Sequence, residues 1–149
     1  MKALIVEDDI TSQLLLREQL RSLGPTHVAA NGNEAINAVR TALEHNDPYD
    51  LICLDILMPE MDGQHALKEL RTLEQQRGLQ PGHGAKIVMT SVLRDKDHVL
   101  QAFREQCDGY LVKPVDKKSL LNCLRELELI ESGPTQPDAA AAALGRFRS

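Results

Sequence analysis

Four short apolar runs in this sequence end in side chains that could do chemistry. The polar residues at these four ends are Glu7 with Asp8, Asp55, Thr90 and Lys113. Clustered carboxylates repel one another unless a cation joins them, and Mg²⁺ is a hard divalent ion that prefers oxygen ligands. A lysine and a hydroxyl group beside such an ion suit a phosphoryl group, and an aspartate can accept that group as an aspartyl phosphate.

The runs that precede these residues are too short for helices and are typical of buried strands. With a further short run over 27–30, they predict five strands. Helical patterns lie between them and after the last, from Ile10, from a predicted cap at Asn33, after Gly63, over 95–105 and from about Lys117. Strict alternation of strand and helix predicts an α/β fold with a doubly wound parallel sheet and five helices. Because parallel strands end at one edge, the polar residues are expected to converge there.

Composition narrows the classes of function. The chain has 149 residues, a net charge of -5 and 3% aromatic residues, with no basic run, so direct nucleic-acid binding is not expected. No segment has the pattern of a secretory signal or the length of a membrane span. The three cysteines form no metal-binding pattern and indicate a reducing cytoplasm. We expect one domain over residues 1–131 and a flexible tail over 132–149.

Several motifs, taken together and in order, resemble the receiver domain of two-component response regulators, in particular its single-domain chemotaxis-regulator form. They lie at Leu4–Asp9, Ala30–Ala35, Asp50–Gly63, Met89–Ser91 and Gly109–Pro114. The resemblance covers residues 2 to about 131 and implies a flavodoxin-like sheet with strand order 2-1-3-4-5. The connection from about Leu73 to Gly84 is longer than is usual in that family.

The resemblance also implies a role for each matching residue. Asp55 is the expected phosphoacceptor, and Asp8 with Asp55 is expected to bind Mg²⁺ directly. The remaining expected roles are Glu7 as the second acid of the metal site, Leu57 as a metal ligand through its backbone carbonyl, Thr90 as the switch hydroxyl, Lys113 as the lysine that pairs with the phosphoryl group, Lys113–Pro114 as a cis peptide, and Tyr110 as the aromatic switch residue.

The function that follows is a phosphorylation-controlled switch, which is not an enzyme beyond assisting its own phosphorylation and dephosphorylation. Its expected phosphodonor is a histidine kinase or a histidine phosphotransfer protein, and its output partner is unknown. The predicted output face joins the fourth helix, the fifth strand and the fifth helix, with candidate contacts at Val99, Phe103, Arg104, Tyr110 and Lys118. No membrane partner is expected, and a phosphorylation-dependent homodimer is left open.

Two other functions stay open from the residues alone. An aspartyl-phosphate phosphatase would need an acid two positions after the nucleophile, where this chain has Leu57. A degenerate receiver that binds partners without being phosphorylated would not need the acidic pair, Asp55, Thr90 and Lys113 together.

Overall fold

The computed structural model describes residues 1–58, 61–80, 82–92 and 106–131. Its five strands are β1 (Ala3–Val6), β2 (Thr26–Ala29), β3 (Leu51–Asp55), β4 (Lys86–Ser91) and β5 (Gly109–Val112). They form one sheet in the order β2-β1-β3-β4-β5, and every neighbouring pair is parallel. The predicted doubly wound fold and its strand order are therefore confirmed.

Four helices are described, each preceded by a side chain that caps its first turn. They are α1 (Ile10–Leu20), α2 (Gly32–Glu44), α3 (Gly63–Gln76) and α4 (Lys117–Glu126), and a 3-10 turn at Arg21–Leu23 follows α1. The capping residues are Asp9, Asn31, Asp62 and Asp116. The predicted helix over 95–105 and the predicted tail over 132–149 lie outside the described residues.

The cap of α2 differs from the prediction, which placed it at Asn33. The side chain of Asn31 accepts a hydrogen bond from the Glu34 amide at 2.8 Å, and the Glu34 carboxylate accepts one from the Ala30 amide at 2.9 Å. This reciprocal pair satisfies two amides at the start of the helix. The helix therefore begins two residues earlier than expected, and Asn33 lies within its first turn.

The sheet separates two apolar cores because alternate residues of each strand point to opposite faces. One core joins the sheet to α2 and α3, and it includes Leu4, Val39, Ile52, Leu67 and Met89. The other core joins the sheet to α1 and α4, and it includes Ile5, Leu16, Cys53, Leu120 and Leu124. No helix within the described ranges is long and apolar enough to span a membrane.

The strand register decides which polar side chains become neighbours. Asp55 is the register partner of Thr90 across β3 and β4, and Val6 is the partner of Leu54 across β1 and β3. Glu7, one residue beyond Val6, therefore reaches the level of Asp55. Lys113 directly follows β5, where its amide donates to the Ser91 carbonyl at 2.8 Å.

A partly buried ionic network holds the opposite, amino-terminal edge of β4 and β5. Arg71 of α3 makes ion pairs of 2.7 Å with both Glu74 and Asp108, and it donates to the Ala85 carbonyl at 2.8 Å. The two carboxylates also accept backbone hydrogen bonds, Glu74 from the Ala85 amide at 2.7 Å and Asp108 from the Ile87 amide at 2.8 Å. The end of the long connection after α3 is therefore fixed to the helix and the sheet.

Candidate functional site

The site is centred on Asp55, the last residue of the central strand β3. All five residues of this strand are buried, and Asp55 itself is only 3% exposed. Its Oδ1 accepts a hydrogen bond from the Leu57 amide at 3.3 Å, which orients the carboxylate. Gly63 lies against this turn, because a Cβ added there would come within 2.2 Å of the Asp55 carbonyl oxygen. The absence of a side chain at Gly63 thus allows α3 to begin against the backbone of Asp55.

Two further carboxylates meet Asp55. One oxygen from each of Glu7, Asp8 and Asp55 lies within 4.8 Å of the other two. Glu7 is buried and Asp8 is exposed, so the group extends from the interior to the surface. Among residues 1–58, 61–80, 82–92 and 106–131, no other such group of histidine, cysteine and acidic side chains occurs.

Lys113 supplies the positive charge opposite this group. Its Nζ donates to Glu7 Oε1 and lies 3.4 Å from Asp55 Oδ2. The other Glu7 oxygen, Oε2, accepts a hydrogen bond from the Asp9 amide at 3.3 Å. Lys113 is followed by a cis peptide bond to Pro114. In this state the lysine is thus shared between two acids.

The titration of the cluster follows from burial and charge. Burial, and then the neighbouring Glu7 carboxylate, raise the pKa of Asp55 from 3.8 to about 7, against the opposing effect of Lys113. Burial also acts to raise the pKa of Glu7, but hydrogen bonds with Lys113 and Asp55 outweigh it and hold that pKa below its usual value. Burial acts to lower the pKa of Lys113, but its contacts with Glu7 and Asp55 raise it. Of the two buried acids, Asp55 is therefore the more readily protonated, while Glu7 and Lys113 favour a charged pair.

The donor set fits Mg²⁺. Three convergent carboxylate oxygens are hard ligands, and Mg²⁺ is commonly bound through one or two carboxylates together with waters. Burial first, and then the neighbouring Glu7 carboxylate, raise the pKa of Asp55, and a bound cation would oppose both effects by favouring the ionised carboxylate. The backbone carbonyl of Leu57 stays a predicted ligand.

The predicted switch residues lie beside Asp55 on β4 and β5. Thr90 is 1% exposed, and its carbonyl accepts a hydrogen bond from the Ile56 amide at 3.0 Å. Tyr110 is half-buried and packs against the core that contains α2 and α3. Burial raises the pKa of Tyr110, against the opposing effect of a hydrogen bond with the Ser91 side chain. Tyr110 is thus linked to the residue that follows Thr90.

Two glutamines of α1 that the sequence analysis missed contact the main chain beside the site. Gln13 Nε2 donates to the Glu7 carbonyl at 2.6 Å, and Gln19 Nε2 donates to the Val115 carbonyl at 2.9 Å. A signal for Gln19 existed, since it lies three residues after Leu16 and directly before Leu20, on the inward-facing side of the helix.

The site is thus an aspartate-centred acidic pocket with an opposing lysine, at the carboxyl edge of a doubly wound parallel sheet of order 2-1-3-4-5. The chain matches the response regulator receiver domain over residues 3–125. It is 30% identical over 125 residues to chemotaxis protein CheY of Bacillus subtilis, covering 84% of this chain and 95% of that one. This chain belongs to the response regulator receiver domain family.

Other relatives are much longer. The match to the sensor histidine kinase GacS of Pseudomonas protegens covers 89% of this chain and has 29% identity, but it spans only 14% of the kinase. The match to probable histidine kinase 2 of Oryza sativa spans 12% of that protein. These matches concern one segment of each kinase, so the activities of the whole kinases do not follow for this chain.

Two solved structures show similar folds with bound ligands or partners. The receiver domain of the histidine kinase CKI1 from Arabidopsis thaliana, complexed with Mg²⁺ and BeF₃⁻, has a TM-score of 0.71, 26% identity and coverage of 87% of this chain and 90% of that one. The Saccharomyces cerevisiae co-crystal of histidine phosphotransfer protein Ypd1 with the receiver domain of Ssk1 gives a TM-score of 0.74, 26% identity and coverage of 91% and 93%.

Proposed function

We propose that this receiver domain accepts a phosphoryl group on Asp55 from the phosphohistidine of a histidine kinase or a histidine phosphotransfer protein. The observation that carries the proposal is the Asp55 carboxylate, buried at the strand end among two further carboxylates and 3.4 Å from Lys113 Nζ. Glu7, Asp8, Asp55 and the Leu57 carbonyl would hold Mg²⁺. When bound, this ion supplies positive charge that keeps the carboxylates ionised and offsets the charge of the phosphoryl oxygens.

In the proposed transfer an ionised Asp55 oxygen attacks phosphorus. A P–O bond forms while the P–N bond to the donor imidazole breaks, and the bonding electron pair leaves with the imidazole nitrogen. That nitrogen then takes a proton from solvent. The domain needs to supply little beyond position and charge for this reaction. Lys113, already within 3.4 Å of Asp55, pairs with one phosphoryl oxygen, and Thr90 donates to another.

The same pocket supports a switch. A phosphoryl group brings a charge of about -1.5 to -2 and three acceptor oxygens. Drawing Thr90 and Lys113 toward it changes the surroundings of Tyr110, which is half-buried on β5. We propose that the signal leaves through β5 and α4 together with the predicted helix over 95–105. Of the candidate output contacts, Tyr110 and an exposed Lys118 are described, whereas Val99, Phe103 and Arg104 lie outside the described residues.

The phosphodonor partner has a surface on which to dock. The large apolar side chains that are exposed within the described ranges include three on α1, at Ile10, Leu14 and Leu15. Two more follow strands, Leu57 after β3 and Val92 after β4. Ile10 begins the helix directly after the acidic residues, so this surface is continuous with the pocket. A partner that presents a histidine to Asp55 would cover these side chains.

The test is intact mass after incubation with Mg²⁺ and acetyl phosphate, with Asp55→Asn as the acceptor variant. Asp62→Asn is the matched control, because Asp62 is an exposed helix cap and asparagine caps a helix as well as aspartate does. We expect one phosphoryl group on the wild type and on Asp62→Asn, and none on Asp55→Asn. Labelling that persists in Asp55→Asn would show a different acceptor. Turnover of many equivalents without accumulation would indicate a phosphatase, and no response would indicate a degenerate receiver.

A further inference from the structure

We infer that Gln19 is a positioning residue for Lys113, and that α1 holds both sides of the phosphoryl pocket through Gln13 and Gln19. The inference rests on the proposed function, since it assigns how the lysine that pairs with the phosphoryl group is kept in place. Neither glutamine touches the reacting atoms, so both act through the main chain.

Gln19 makes a hydrogen bond to a residue that is distant in the sequence. It is 8% exposed, and its Nε2 donates to the carbonyl of Val115, which is 96 residues later in the sequence. Val115 is itself buried in the core between the sheet, α1 and α4. This hydrogen bond therefore connects the interior of α1 to the segment that leads from β5 to α4.

Lys113 lies between two fixed points of that segment. The first is the Lys113 amide, which donates to the Ser91 carbonyl at 2.8 Å. After it comes Pro114, which has no N–H group to donate, and then the Val115 carbonyl that Gln19 holds. Asp116 follows and caps α4 through the Ser119 amide at 2.7 Å. Loss of the Gln19 hydrogen bond would leave the backbone beside Lys113 free to shift relative to Glu7 and Asp55.

A second observation favours a role beyond stability. The Gln19 Oε1 atom is buried and has no hydrogen-bond partner within the described ranges. A buried acceptor without a partner costs folding free energy, and an apolar side chain of the same shape avoids that cost. Leucine at position 19 would remove this acceptor but would also leave the buried Val115 carbonyl without its donor. The glutamine thus brings an unpartnered acceptor into the core, while its donor holds the segment that carries Lys113.

Gln13 makes the corresponding contact on the metal side. Its Nε2 donates to the Glu7 carbonyl at 2.6 Å, so it holds the main chain of the residue that pairs with Lys113. From a single helix, Gln13 therefore holds the main chain of Glu7, and Gln19 holds the main chain two residues after Lys113. We therefore expect substitutions of the two glutamines to have different effects. Loss of Gln13 should change the position of the Glu7 carboxylate, and loss of Gln19 should change the position of Lys113.

The experiment compares Gln19→Leu, Gln13→Leu and the control Gln76→Leu, an exposed position at the end of α3. Three quantities are measured on the full chain: the Mg²⁺ dissociation constant by calorimetry, the rate of phosphorylation by acetyl phosphate at saturating Mg²⁺, and metal-free unfolding in urea. For Gln19→Leu we expect phosphorylation slower by about tenfold, the effect typical of losing a supporting hydrogen bond around a site. We expect its Mg²⁺ dissociation constant to stay within about twofold of wild type. We expect its urea midpoint to stay close to that of wild type, because the change removes the unpartnered Oε1 but leaves the Val115 carbonyl without its donor.

For Gln13→Leu we expect weaker Mg²⁺ binding, and for Gln76→Leu no change in any of the three quantities. The inference is overturned if Gln19→Leu is phosphorylated at the wild-type rate. It is also overturned if that variant slows only in proportion to a loss of folded protein, or if its Mg²⁺ affinity falls as far as its rate. A wild-type chain that accepts no phosphoryl group at saturating Mg²⁺ would instead refute the proposed function itself.

Discussion

Replacing Asp55 with asparagine should stabilise the metal-free protein at neutral and alkaline pH. Asparagine keeps the size of the side chain and can still accept the hydrogen bond from the Leu57 amide, which the wild type makes at 3.3 Å. It removes a buried negative charge that lies beside Glu7 and Asp8. Lys113 would then pair with Glu7 alone. A substitution that abolishes the proposed chemistry is thus expected to strengthen the fold.

The magnitude follows from the pKa of Asp55, which is raised from 3.8 to about 7 in the folded protein. Because each pKa unit corresponds to about 1.4 kcal/mol, this change sets an upper limit of about 4 kcal/mol on the cost of ionising Asp55. Relaxation of the neighbouring Lys113 and of water reduces the effect, and we expect about 1–3 kcal/mol.

The sign is set by the protons bound in each state. The folded protein holds the Asp55 proton more tightly than the unfolded chain does, so its stability falls as pH rises through the range from about 4 to about 7. The asparagine variant lacks this fall. Its advantage over wild type should therefore be small near pH 4, grow through that range and level off above about pH 7.

The assay is urea denaturation followed by circular dichroism at several pH values in the presence of a chelator, with Asp62→Asn as the control for an aspartate-to-asparagine change. Adding Mg²⁺ should then stabilise wild type more than the variant, since a ligand that binds only the folded state at about 100 times its dissociation constant adds about 2.7 kcal/mol. The reasoning is refuted if metal-free Asp55→Asn is less stable than wild type at pH 8, or if the difference between them does not depend on pH.

Three further outcomes are expected. Glu7→Ala should weaken Mg²⁺ binding by about tenfold. Asp8→Ala should weaken it more, because Glu7 is already bonded to Lys113. If calorimetry shows the reverse order, Glu7 and not Asp8 is the stronger Mg²⁺ ligand. The phosphorylated state should be long-lived, because the exposed apolar side chains of Leu57 and Val92 cannot orient the water that hydrolyses it. Leu57→Asn or Val92→Glu should hasten dephosphorylation about fivefold, the equivalent of one hydrogen bond of about 1 kcal/mol. Unchanged decay of the phosphoprotein mass in both variants would contradict this. Leu14→Asp should slow transfer from a phosphorylated donor protein by about tenfold, because it removes an apolar contact with that protein. Labelling by acetyl phosphate should stay unchanged. Equal slowing with both phosphodonors would argue against docking on α1.

The arrangement of strands and of strand-end residues was accessible from the sequence because it depends on local patterns. Short apolar runs predicted the strands, and the parallel sheet brought residues such as Asp55 and Thr90 to one edge. The functional roles of these residues stay predictions. The choice of Asn31 over Asn33 as the cap of α2 was also accessible, because Glu34 lies three residues after Asn31, which is the spacing of a capping box.

Contacts between distant parts of the chain were not accessible. Gln19 and Val115 are 96 residues apart, and Arg71 and Asp108 are 37 apart, so no periodicity or motif joins them. Nor could the sequence show that Lys113 is shared between Glu7 and Asp55, since this depends on where three side chains meet. Such pairings need the relative placement of whole elements.

The Arg71 network gives the two edges of the sheet different electrostatic character. At the amino edge, Glu74 and Asp108 each pair with Arg71 and also accept a backbone amide, so this edge is electrostatically saturated. At the carboxyl edge, Lys113 contacts Glu7 and Asp55, and Asp8 joins these two acids, so three carboxylates share one positive charge. An added cation or phosphoryl group should therefore change the contacts of Lys113 with Glu7 and Asp55 at the carboxyl edge. The ion pairs of Arg71 at the amino edge should stay as they are.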